Sequence, residues 1–337
     1  MPSLKSAGGA LGAIGSVKNF VNVVKEVDFE EVRRRAELAP MIVMLSGDEE
    51  DARSAAGRLF GERPERFVEV RVAGDPVQLD AHRYDIIVVH DPAQSGLLER
   101  VRSAVGSDNV AKIFFLATHL PGDLVPEDQT RATIVAALPE LAPSLGRFFP
   151  LFRAVAAKAI MEETSRANAQ FALVSNVPAV IPVLGNLIAA SADLVVLTKN
   201  QIMMCYKLAA LNGRDLHNQT GLITELAPVV GAGFLWRTAA REASAMLPFA
   251  AGTIPKVVIA YAGTLAIGWS ADFYFKYGKK PSRAQVNEFV DRATKIAKAL
   301  PIASRKESGA DAPTEALPRG GEQDPTEPLP PGAGTGA

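Results

Sequence analysis

Residues 41–60 read MIVMLSGDEEDARSAAGRLF: an apolar run, a short polar turn, and then a segment with helical character. The run 41–45 is bounded by Pro40 and by Ser46 and Gly47, which is typical of a buried strand. The acidic residues at 48–51 favour a helix start, because carboxylates complement the positive end of a helix. Strand, loop and helix in this order predict the first unit of an α/β fold.

The same alternation continues to about residue 138. The pattern predicts strands at 41–45, 67–72, 85–90 and 112–118, and intervening helices at 49–60, 94–105 and 127–138. Alternating strands and helices indicate a small α/β domain with a mainly parallel sheet. A capping-box pattern at 28–31 predicts a short helix before it, ended by Pro40. A spacing of apolar residues between 14 and 27 predicts an amphipathic helix upstream.

Beyond Pro150 no further strand pattern occurs, and the chain is predicted to be helical as far as residue 300. Two segments of this all-α part are unusually poor in charge: 171–198 contains only Asp193, and 243–271 contains only Lys256. We therefore predict an N-terminal tail with amphipathic helices (1–40), the α/β domain (41–149), a helical domain (150–300) and a disordered Pro/Gly-rich tail (301–337).

The loop after the first strand lies where a phosphate loop of pattern GxxxxGK[ST] would lie. Aligned on Gly47, the second glycine is Ala52, the lysine is Arg53 and the final residue is Ser54. The four acids at 48–51 would place carboxylates against the phosphates. The magnesium turn and guanine-recognition motif of a GTPase are also missing: Asp91-Pro92-Ala93-Gln94 lacks the glycine. We predict a GTPase-like domain that does not turn over nucleotide, and retain an atypical NTPase using Arg53 and Ser54 as the alternative.

Other function classes are restricted by composition. A net charge of −1 gives no basic face for nucleic acid. The four histidines are scattered, so we expect surface or half-buried positions and no metal site. The single cysteine, Cys205, lies in an apolar helical segment and is expected to be a buried structural thiol. We predict no catalytic residue and no cofactor.

The two charge-poor segments leave membrane insertion and a soluble helical core both open. A spanning helix needs about 20 apolar residues, whereas Pro182, Asn186 and Asp193 interrupt the first segment. Asp193 and Lys256 are predicted to form a charge pair, either within the membrane or in a soluble core. Basic residues flank the segments, including Lys276, Lys279, Lys280 and Arg283, which favours cytoplasmic ends. No secretory signal pattern precedes them, so we expect the soluble domain on the cytoplasmic side.

Several short motifs occur in order between about residues 150 and 290: Asn168-Ala169-Gln170, 175–186 (SNVPAVIPVLGN), 197–201 (LTKNQ), 213–215 (GRD), 228–233 (PVVGAG), Arg237, and 247–252 (LPFAAG) with Pro255-Lys256. Together they resemble the bacterial "domain of unknown function 697" family, which is associated with GTPases. The resemblance implies location at the cytoplasmic membrane and a GTPase partner, and it assigns no catalytic residue. Separately, we keep homo-oligomerisation open. A soluble adaptor in the cytoplasm is the remaining alternative.

Overall fold

The computed structural model describes residues 26–62, 64–174, 185–219, 221–222, 225–226 and 253–300. At 174, 185–194 and 253–256 only the backbone is described. The tail 301–337 and nearly all of the amphipathic helix predicted at 14–27 lie outside these residues.

The elements confirm the predicted fold class, an α/β part followed by an all-α part. The strands are β1 (Ile42–Ser46), β2 (Val68–Val72), β3 (Ile86–His90) and β4 (Ile113–Leu116). Helices of the first part are α1 (Glu30–Glu37), α2 (Glu49–Phe60), α3 (Leu97–Val105), α4 (Pro126–Ala137) and α5 (Ala142–Phe148). Those of the second are α6 (Arg153–Val174), α7 (Gly185–Leu211), α8 (Thr253–Tyr277) and α9 (Arg283–Ala299).

The four strands form one parallel sheet in the order β2-β1-β3-β4. Ile42 of β1 pairs with Val68 on one side and with Ile86 on the other. Strands β1 and β3 are buried at every position because helices cover both faces of the sheet, which explains their unbroken apolar sequences. Residues of the two strands contribute alternately to two apolar clusters, one on each face.

One of these clusters continues from the sheet into the helical part. It includes Met44 and Val88 of the sheet as well as residues of α6, α7 and α8. Phenylalanine rings lie at the junction. The centroid of the Phe60 ring is 5.0 Å from that of Phe149 and 5.5 Å from that of Phe152. The described residues on both sides of the predicted boundary at residue 150 therefore share one buried core.

A buried arginine joins two helices on this face of the sheet. Arg131 of α4 donates to the backbone oxygens of Leu59 (2.8 Å) and Arg58 (2.6 Å), which belong to the last turn of α2. These carbonyls have no partner within their own helix, so the guanidinium satisfies them. Asp128 accepts from the same guanidinium at 2.5 Å and balances its charge.

Within the described residues, one helical segment is long and apolar enough to cross a membrane. It covers Val257–Tyr277 of α8, with mean hydropathy 1.2, and 72% of the apolar window is buried by the rest of the protein. Core helices of soluble proteins meet the same criterion, so length and composition do not distinguish the two environments. Of the other charge-poor segment, 171–198, residues 175–184 are not described, nor are the side chains of 174 and 185–194.

Candidate functional site

The carboxyl edge of the sheet is the first candidate, because ligands of such sheets bind where the strand order reverses. Here that point lies between the loops that follow β1 and β3. Asp48 occupies the first loop as the N-cap of α2. Its Oδ1 accepts from the backbone N–H groups of Glu50 (2.8 Å) and Asp51 (3.1 Å). A carboxylate thus already occupies the anion-binding end of α2.

The loop after β3 contains a second aspartate whose carboxylate accepts backbone N–H groups, although the N-cap of α3 itself is Gly96. Asp91 is 8% exposed, and its carboxylate accepts from Ser95 N (2.9 Å), Ser95 Oγ (3.0 Å) and Leu97 N (3.0 Å). Burial opposes its ionisation, but these hydrogen bonds outweigh burial, so the pKa of Asp91 lies below its ordinary value. Positive φ angles at Gln94 (52°) and Gly96 (74°) wind the loop around this carboxylate.

The three predicted nucleotide-loop residues are placed differently. Gly47 lies between β1 and α2, where an added Cβ would meet no heavy atom within 4 Å. Arg53 is exposed and forms an ion pair with Glu49 at 2.5 Å. Ser54 accepts a hydrogen bond from Arg58 Nη1 at 2.8 Å. In the described part of the chain, no hydrogen bond or ion pair joins Arg53 or Ser54 to Gly47.

The carboxylates of Asp48 and Asp91 limit what this edge can bind. A phosphate at the start of α2 would compete with Asp48 for N–H groups, and one at the start of α3 would compete with Asp91. It would also approach Glu49, Glu50 and Asp51 in the first turn of α2. The arrangement is therefore electrostatically unfavourable for a polyanion.

Sequence reasoning missed two buried polar residues beside these loops. His90 is 3% exposed and its Nδ1 lies 2.9 Å from Leu116 O, so the expectation of a surface or half-buried position was wrong for it. The end of β3 is covered on both faces, and a backbone oxygen of β4 lies within hydrogen-bonding distance of one ring nitrogen. Ser46, at the end of paired strand β1, is fully buried, and its Oγ has no hydrogen-bond partner in the described structure. Each residue directly follows the apolar run of its strand, and this position in the sequence could have indicated its burial.

The second candidate site is a hydrogen-bonded cluster between α6, α7 and α8. Thr264 of α8 accepts from Asn168 Nδ2 and from Gln201 Nε2, each at 2.9 Å, and donates to Ala260 O at 2.8 Å. Asn168 Oδ1 accepts from Asn200 Nδ2 at 2.8 Å. Thr264 and Asn168 are fully buried, and Gln201 is nearly so. We call Asn168, Asn200, Gln201 and Thr264 the amide cluster.

The amide cluster is suited to positioning helices rather than to catalysis. The Thr264 hydroxyl uses its one donor and both acceptor sites, so it is saturated. None of the four side chains changes its charge near neutral pH. Its members on α6 and α7 come from the motifs at 168–170 and 197–201 that carry the family resemblance. In the structure, these motif residues meet where α6, α7 and α8 contact one another.

The remaining predicted site features have different outcomes. Asp193 and Lys256 fall where only the backbone is described, so their predicted pairing lies outside the described side chains. Cys205 is buried, as expected, and desolvation raises the pKa of its thiol to about 12. Across the described residues, no group of three or more His, Cys, Asp or Glu side chains could hold a metal ion.

Comparison with known proteins adds no relative: no family model, no curated protein and no solved structure matches this chain. The resemblance drawn from the sequence motifs therefore stays a prediction.

Proposed function

We propose that this protein is a non-enzymatic, membrane-associated scaffold whose GTPase-like domain does not bind nucleotide. The observation that carries the proposal is the capping of α2 by Asp48 and of the loop before α3 by Asp91. Asp48 binds N–H groups at the start of α2, where a phosphate loop would hold a nucleotide, and Asp91 binds the first N–H group of α3 at the neighbouring loop. An α/β module of this kind presents a surface to a partner and performs no phosphoryl transfer.

Titration of the purified protein with GTP and with ATP, each with Mg²⁺, tests this half of the proposal. We expect no saturable heat change in isothermal calorimetry. The comparison variants are Arg53→Ala and Arg102→Ala, which both remove an exposed arginine from an ion pair within one helix. Saturable binding that Arg53→Ala abolishes and Arg102→Ala leaves intact would instead establish the atypical NTPase.

The membrane half of the proposal is supported by the apolar helix α8 and by the family resemblance. Extraction of isolated membranes at alkaline pH is its test, with the protein expected to stay in the pellet. Complete release into the supernatant would contradict a spanning anchor. The predicted GTPase partner rests on the resemblance alone, and a neighbouring gene encoding an intact GxxxxGK[ST] protein would support it.

A soluble helical adaptor is the second candidate, and the burial of α8 favours it. Because 72% of its apolar window already packs inside the protein, α8 serves as a core helix without any lipid. A topology reporter fused after Gly213 separates the candidates, since Gly213 lies in an exposed turn at the end of α7. A reporter on the outer side of the membrane would rule out the soluble form.

A further inference from the structure

The turn between α8 and α9 is built with defined ends. Gly278 adopts a positive φ of 64° and donates its N–H to Tyr274 O at 2.8 Å, which ends α8. Ser282 then begins α9 with a capping box, in which its side chain and that of Gln285 exchange hydrogen bonds with the backbone. The side chains in this turn are therefore held on a fixed backbone.

The turn concentrates positive charge without neighbouring acids. Lys276 is paired with Asp272 at 2.6 Å. The next three cations, Lys279, Lys280 and Arg283, are exposed and form no ion pair with any residue in the described ranges. No acidic residue occurs in the sequence between Asp272 and Glu288. We call Lys279, Lys280 and Arg283 the basic turn.

Folding stability does not account for the whole basic turn. Lysines just beyond α8 complement the negative end of that helix. Arg283 is placed oppositely, because it is the first residue of α9 and lies at the positive end of that helix. As in α5 and α6, the first turn of α9 contains no acidic residue, so no carboxylate there offsets Arg283. Helix-end electrostatics therefore do not explain Arg283, and Arg283 has no ion-pair partner in the described ranges.

An exposed aromatic ring lies beside these cations. Tyr277, the last residue of α8, is 63% exposed, and its ring packs on that of Phe273 with centroids 4.7 Å apart. Tyrosine is enriched at the headgroup level of membranes, where its apolar ring and polar hydroxyl are both accommodated. Cations next to such a ring are attracted to the negative surface of the cytoplasmic leaflet.

We propose that the basic turn and Tyr277 bind the anionic surface of a lipid bilayer, through lipid phosphate groups. This inference rests on the membrane association proposed above and specifies the contact surface and the class of lipid. The contact itself is peripheral and does not depend on whether α8 spans the membrane.

The test is sedimentation of the purified full-length protein with vesicles of phosphatidylcholine alone or mixed with phosphatidylglycerol. The variant is K279Q/K280Q/R283Q, and K279Q/K280Q is a second variant that leaves α9 unchanged. The control R34Q/R35Q/R102Q removes the same charge from exposed sites on α1 and α3. We expect binding only to the anionic vesicles, weakened at least about tenfold in the basic-turn triple variant and little changed in the control.

The possible results separate this inference from the proposed function. Equal binding of the triple variant and the unaltered protein, or an equal loss in the control, would overturn the basic turn as the contact. Equal binding to neutral and anionic vesicles would leave membrane association in place but refute the anionic contact. No vesicle binding at all would refute the inference, and release from native membranes at alkaline pH would additionally refute a spanning anchor. Tighter binding to duplex DNA than to vesicles would assign the turn to a different partner.

Discussion

Asp91 stabilises the loop after β3 by accepting hydrogen bonds from Ser95 and Leu97. In Asp91→Asn, one of the two acceptor oxygens becomes an amide nitrogen, which cannot accept from a backbone N–H. We expect the free energy of unfolding at neutral pH to fall by about 0.5–2 kcal/mol, the range for lost caps. Denaturant titration measures it. Asp123→Asn, at an exposed site, is the control and should change little.

The same substitution has a predicted pH dependence. The folded-state pKa of Asp91 is lowered, so ionised Asp91 stabilises the fold at pH values above its unfolded pKa of about 3.9. This contribution is lost as the pH falls through the folded-state value. The stability difference between the unaltered protein and Asp91→Asn should therefore shrink below about pH 4. A difference independent of pH would show that the carboxylate charge does not matter.

Thr264 is the centre of the amide cluster, and its hydroxyl is the shared partner of two buried amides. Thr264→Val keeps the shape but leaves Asn168 and Gln201 each without one partner. We expect a loss of about 1–3 kcal/mol in unfolding free energy, the range for a buried polar group left unsatisfied. Thr294→Val is the matched control, because the Thr294 hydroxyl bonds only to Val290 O of its own helix. Equal losses in both variants would contradict the role of the cluster.

Helix α5 contacts α7 so closely that a side chain at Gly146 has no room. An added Cβ would lie 2.7 Å from Leu211 Cβ, an atom fixed by the backbone. A Cβ added at Gly268 of α8 would lie 2.6 Å from Met161 Cγ, but a methionine side chain can move to make room. We expect Gly146→Ala to cost about 1–3 kcal/mol and Gly268→Ala less, measured by thermal or denaturant unfolding.

A third glycine supplies the control for this comparison. At Gly57 of α2 an added Cβ would meet nothing within 4 Å. Gly57→Ala should therefore be neutral or stabilising by up to about 1 kcal/mol, because alanine restricts the unfolded chain. If Gly146→Ala were as well tolerated as Gly57→Ala, the α5–α7 contact would be looser than described.

Sequence patterns predict these elements better than they predict their ends. The helix at 49–60 was predicted with the bounds observed for α2. The predicted strand 112–118 ends at Leu116, because β4 is paired only with β3, whose last residue, His90, is opposite Leu116. Helix α3 begins at Leu97 rather than at 94, because the Asp91 carboxylate and two positive φ angles hold the preceding residues in a loop. The first difference depends on strand pairing between residues distant in sequence, and the second depends on a side-chain hydrogen bond and backbone angles. Hydrophobic periodicity contains neither kind of information.

At the scale of the whole molecule, one apolar cluster runs from the sheet through α6, α7 and α8. The sequence indicates where each part is apolar but not that the two parts share a core, because periodicity is local. Likewise Asn168, Gln201 and Thr264 are far apart in the chain, so their contact could not be inferred from spacing.

The shared core predicts that the described residues unfold as one cooperative unit. Thr264→Val should lower the protection of amides in β1 and β3 against hydrogen exchange by the same free energy as in α8. Native-state exchange followed by mass spectrometry measures both regions together. Undiminished protection in the strands would show that the helical part opens independently.

The Asp48 cap also determines how a phosphate loop could be engineered into this chain. Changing Ala52 to glycine and Arg53 to lysine would restore the GxxxxGK[ST] pattern, yet Asp48 would still bind the N–H groups of Glu50 and Asp51. Anion affinity would first require removal of this carboxylate. The start of α2 would then lack its cap until a bound ligand supplied one. In such an engineered variant, the ordering of α2 would therefore depend on the nucleotide concentration.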